Sequence, residues 1–91
     1  MTLQERKIKV LENILDQAID KQYELEVGIE IKELMIIQNP QHEQVAKIEQ
    51  IVQQEKFMLE NQRDAINILD RKLVELKTEH KAAQPSGALK A

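Results

Sequence analysis

Apolar residues return along this chain at alternating steps of three and four. From Val45 onward the seventh-residue series is Val45, Val52, Leu59, Ile66, Leu73 and His80, and the series three positions further on is Ile48, Glu55, Gln62, Leu69 and Leu76. This spacing predicts a long helix whose apolar stripe lies along a second helix. The N-terminal segment carries a weaker version of the same repeat. Its two series are Ile8, Leu15, Gln22, Ile29, Ile36 and Gln4, Leu11, Ala18, Leu25, Lys32. Three of those ten positions are polar, and Gly28 sits among them, costing about 1 kcal/mol of helix propensity against Ala. Gly28 reads either as local looseness or as a point of close approach by another helix.

Start and stop signals divide the pattern into two helices. Thr2-Leu3-Gln4-Glu5 has the form of a capping box. The break is Gln38-Asn39-Pro40, where Asn39 suits an N-cap and Pro40 the first helical position. The expected elements are helix one over about 2–37 and helix two over about 40–83, together one helical domain over 1–83. Pro85-Ser86-Gly87 ends the second helix, and 84–91 reads as a disordered tail or linker.

So short a connection favours an antiparallel hairpin. A reversal at 38–39 would bring together residues whose numbers sum to about 77. Ile29 then faces Ile48, Leu25 faces Val52, Ala18 faces Leu59, and Gln22 meets Glu55 in a shared polar layer that would set register. Leu15 against Gln62 and Lys32 against Val45 fit badly. The edges beside the seam differ. On one side (heptad position e) stand Glu12, Glu26, Glu33, Glu49, Lys56, Arg63, Asp70 and Lys77. On the other (positions c and g) stand Leu3, Val10, Ile14, Ile31, Met35, Ile51, Met58, Ala65 and Ile68. A dry edge on a two-helix hairpin implies that it packs on something further. Val10, Ile14, Met35, Ile51, Met58 and Ile68 are the expected oligomer interface. The expected fold is all-α, an antiparallel two-helix hairpin assembled into a four-helix or larger homo-oligomeric bundle.

One further apolar stripe does not belong to the seam. Tyr23, Val27, Ile31 and Leu34 follow i, i+4, i+8, i+11 on the outer side of helix one. The stripe reads either as a wider oligomer core or as a docking site for a partner protein, with Tyr23 as an aromatic anchor. Phe57 stands at a matching height on helix two.

Composition narrows the function. The chain has 91 residues, 32% charged and 2% aromatic, with no cysteine and a net charge of −3. Few aromatics suit helices packed along seams better than a globular core. No cysteine means no disulfide and no thiol chemistry. The N-terminus, MTLQERKIKV, has no apolar run of signal-peptide type, and no stretch reaches membrane-spanning length. A cytoplasmic protein without membrane contact is expected. His42 and His80 would lie about 57 Å apart in a hairpin, too far to share a metal. Glu12, Asp16, Asp20 and Glu24, four apart on one face, read as a solvated face offset by Lys9 and Lys21, or as a site for a basic partner or divalent cation. No phosphate loop, nucleophile elbow or zinc spacing is present. The chain is expected to be no enzyme and to need no cofactor.

Arg6, Lys7 and Lys9 near the start, with Arg71, Lys72 and Lys77 near the end, would form a basic patch at the open end of the hairpin. With that patch, the hairpin resembles in architecture the small plasmid-encoded RNA-binding four-helix bundles, which are also acidic overall. With its Asn39-Pro40 junction it resembles the helical co-chaperones of type III secretion needle subunits. The residues themselves point to a non-catalytic, self-associating protein-binding module: an adaptor, assembly factor, inhibitor or small chaperone. Its expected partners are itself and another protein. The alternative is an RNA- or DNA-binding bundle that uses the open-end cations.

Overall fold

A computed structural model describes residues 2–83 and contains two helices lying antiparallel, α1 over Leu3–Gln38 and α2 over Val45–Ala83. The tail expected over 84–91 lies outside the described residues. The rod measures 70 × 21 × 16 Å between Cα atoms. At its start the Thr2 hydroxyl accepts from the Glu5 amide at 3.1 Å, and the Thr2 carbonyl accepts the first helical bond from Arg6. Thr2 is extended, with φ −73° and ψ 165°, as an N-cap should be.

The connection differs from expectation. Helix α2 begins at Val45, not Pro40. Asn39 is not the N-cap of α2 but the C-cap of α1, its amide donating to the Met35 carbonyl. Pro40 is the second residue of a β-turn closed by the His42 amide on the Asn39 carbonyl at 3.1 Å. A fixed φ near −65° suits that turn position as well as it suits a helix start. Beyond the turn, the Val45 amide donates to the His42 carbonyl, and Ile48 makes the first bond of α2 to Gln44. His42 Nδ1 accepts from the Gln44 amide at 3.0 Å, satisfying one donor that the helix start leaves over.

The longer turn changes which residues meet. Gln62 Nε2 donates to the Ala18 carbonyl at 2.9 Å, Gln4 Nε2 reaches the Leu76 carbonyl, and Lys32 pairs with Glu55. Residue numbers in these pairs sum to 80, 80 and 87, above the 77 that a reversal at 38–39 requires. A reversal centred within 39–44 accounts for a shift of about one heptad. Such a slip keeps the same faces in the seam and changes only the layers. The expected Gln22–Glu55 layer is not made. Gln22 donates instead to Glu26 at 3.1 Å, and Glu55 meets Lys32.

Leu25, Ile29, Val52 and Leu59 form the core, with Ile48 packed against them, and Leu73 is buried further along α2. The core therefore sits in the half nearer the turn. Gly28 answers to close approach rather than looseness. A Cβ there would lie 3.3 Å from Glu55 Oε2 and 3.7 Å from Lys32 Nζ, so the absent side chain makes room for that ion pair. The approaching helix is α2 of the same chain.

Candidate interaction surface

The charged edge closes on itself. Glu33 pairs with Lys56 at 3.5 Å, Glu26 with Arg63 at 3.0 Å and Glu12 with Lys77 at 3.9 Å. All three join an acid of α1 to a base of α2 at the same heptad position, forming a ladder along the rod. Glu26 is the best held. The hydrogen bond from Gln22, and after it the bond and charge of Arg63, keep its carboxyl below the usual value.

The opposite edge is left open. Of the six residues expected at an oligomer interface, Val10, Ile14, Met35, Met58 and Ile68 are exposed and Ile51 is half-buried. The hairpin covers none of them fully. The outer stripe is equally bare: Tyr23 is 58% exposed, Val27 53%, Ile31 53% and Leu34 57%. By contrast Leu59, in the seam, is 8% exposed. Phe57 is exposed on the back of α2.

At the open end the dry edge forms a shallow, open apolar groove of about 390 Å³. Leu3, Val10, Leu11 and Ile14 of α1 and Leu76 of α2 form its floor, and Arg6, Lys7 and Lys72 stand around it. Lys72 also meets Glu75 at 3.7 Å, with both side chains more than half exposed. The six cations expected to make one patch do not gather. Lys9 and Lys77 line a different groove, among Glu5, Glu12 and Asp16. Lys77 is paired there with Glu12, and Arg71 lines neither groove. Three cations around an apolar floor suit an acidic, amphipathic ligand better than a run of phosphates, which needs cations in a line.

In the sequence Leu3, Val10 and Ile14 belong to the apolar edge and Arg6, Lys7 and Lys72 to the basic cluster. Their shared groove follows only from the antiparallel pairing, which brings Lys72 and Leu76 beside the first turns of α1. Among the described residues no group of histidines and carboxylates is placed to hold a metal ion, and no helix is long and apolar enough to cross a membrane. Comparison with protein-family models, curated proteins and solved structures finds no match, so neither architectural likeness gains a relative.

Proposed function

We propose that this hairpin is a non-catalytic protein-binding module that works by self-association and by docking other chains on its uncovered apolar surface. One observation carries the reading. Among the described residues five apolar side chains are buried, while thirteen large ones stand in water, most of them on the dry edge and the outer stripe. Each side chain of this kind gains about 1.5–3 kcal/mol when fully buried. Patches this extended mark surfaces that another chain covers. An adaptor or assembly factor fits such a rod, since it offers two separate faces along its length.

The test is cross-linking capture from the native host, run with nuclease present. Tyr23→Ala with Val27→Ser should keep helicity by circular dichroism and lose the cross-linked chains. Aromatic anchors of this kind cost about 2 kcal/mol or more on truncation. Capture that vanishes with nuclease in the unaltered protein would turn the reading to nucleic acid. Capture unchanged in the variant would remove the stripe from it.

A further inference from the structure

We infer that the apolar groove at the open end takes the outer stripe of a second copy, so that copies join head to tail. The inference rests on the protein-binding reading and names the partner of its two surfaces. Its first support is charge. The groove is lined by Arg6, Lys7 and Lys72 and by no acid. The outward heptad positions b, c and f of α1 from Asp16 to Gln38 hold Asp16, Asp20, Glu24 and Glu30 and no cation. The nearest base, Lys21, meets Glu24 at 3.7 Å with both side chains more than half exposed. A cationic rim around an apolar floor thus faces an anionic border around an apolar ridge, the arrangement that steers and orients association.

Length is the second support. From Leu3 to Ile14 the groove follows eleven residue steps of α1, and from Tyr23 to Leu34 the ridge also follows eleven. Each is about 16 Å of helix. The two cannot meet within one chain, because they lie on the same straight helix with about 30 Å between Leu3 and Tyr23. Every copy therefore offers one groove and one ridge. A contact between unlike surfaces of identical chains either closes into a ring or runs on as a chain. Four side chains against one groove make a small interface, so association is weak and weakens further with salt.

The experiment is sedimentation of the full chain across a concentration series at low and high salt, with two charge-reversed variants. Arg6→Glu with Lys7→Glu reverses the groove, and Glu24→Lys with Glu30→Lys reverses the ridge. All four residues are exposed, and circular dichroism checks that helicity is kept. The unaltered protein should gain mass with concentration, less so at high salt. Each variant alone should need at least about tenfold more protein to reach the same mass. An equimolar mixture should recover assembly, because each reversed surface then meets an opposite one. Three results would overturn the inference: a monomer at every concentration, assembly indifferent to both reversals, or no recovery on mixing. The first would leave docking of foreign chains on the stripe standing, to be judged by the capture experiment. The second would move self-association to the Met35, Ile51 and Met58 part of the dry edge.

Discussion

The two long edges of the hairpin use the same pair of helices and end in opposite states. Along one, Glu12, Glu26 and Glu33 meet Lys77, Arg63 and Lys56. Along the other, Val10, Ile14, Met35 and Met58 meet nothing among the described residues that covers them. Partly exposed ion pairs contribute about 0.2–1 kcal/mol each, so the charged edge adds little stability. It adds direction, because acids on α1 and bases on α2 match only when the helices run antiparallel in this register. The apolar edge leaves the larger hydrophobic free energy unrealised among the described residues. The charged edge is completed within the hairpin, and the apolar edge is left uncovered by it.

Neighbouring residues Leu59 and Met58 separate the seam from the open edge most sharply. Leu59→Ala removes a side chain from the core cluster and should destabilise the hairpin by about 2–5 kcal/mol at any protein concentration. Met58→Ala should change the dilute protein by no more than about 0.5 kcal/mol, as exposed sites do. Its cost should grow as concentration rises and copies assemble. Urea unfolding of both variants at two protein concentrations is the measurement. Equal costs at both sites in dilute solution would erase the distinction between seam and edge.

A smaller effect is expected where charge enters the seam. Among the described residues Lys32 and Glu55 are the one ion pair in which both side chains are less than one-third exposed. Replacing both by Leu should raise the melting temperature, by about 1 kcal/mol of stability or somewhat more, since well-packed apolar residues often outdo a desolvated pair. Glu55→Leu alone should lower it, leaving Lys32 half-buried beside apolar neighbours. The double variant should also loosen register, as the pair fixes which layer of α1 meets which layer of α2. A double variant less stable than the single one would show that Lys32 and Glu55 stabilise through contacts other than each other.

The same pair marks where legibility in the sequence ended. The two unlike edges follow from periodicity, because heptad spacing states which face is buried, while the division into two helices follows from start and stop signals and their antiparallel order from the short connection. Periodicity is silent on a slip of one whole heptad. Val52 and Leu59 occupy equivalent positions, so the turn must decide between layers. The turn is ambiguous in the sequence because Pro40 has the same φ in a β-turn as in a first helical turn. From that one ambiguity came the wrong start of α2, the unmade Gln22–Glu55 layer and the hidden Lys32–Glu55 pair. Gly28 held a usable signal. A glycine four residues before Lys32 leaves a gap on the same face, where a long side chain can fold back. The open-end groove was legible in pieces, as apolar c and g positions and as a basic cluster. Only the three-dimensional pairing showed that Arg6, Lys7 and Lys72 share a floor while Lys9 and Lys77 do not.

The charged edge makes its own, smallest prediction through acid. Glu26 accepts from Gln22 at 3.1 Å and from Arg63 at 3.0 Å, and both bonds favour its ionised form. Its folded carboxyl therefore releases its proton at lower pH than the same group in the unfolded chain. The unfolded state binds the proton more tightly, so stability must fall as protons are supplied. The contribution of Glu26 is complete above the ordinary carboxylate range. It declines as pH drops through that range and is lost below the folded value. Glu26→Gln cannot titrate. The melting temperature of the unaltered chain should exceed that of the variant near neutral pH, and the gap should narrow as pH falls. Gln22→Leu and Arg63→Gln should each shrink the gap, because the Gln22 bond and the bond and charge of Arg63 all favour the ionised carboxyl. Melting curves that stay parallel down to strong acid would show that Glu26 titrates as it does unfolded. The ladder would then be geometry without energetic consequence, and direction in the hairpin would have to come from the Lys32–Glu55 pair and the turn alone.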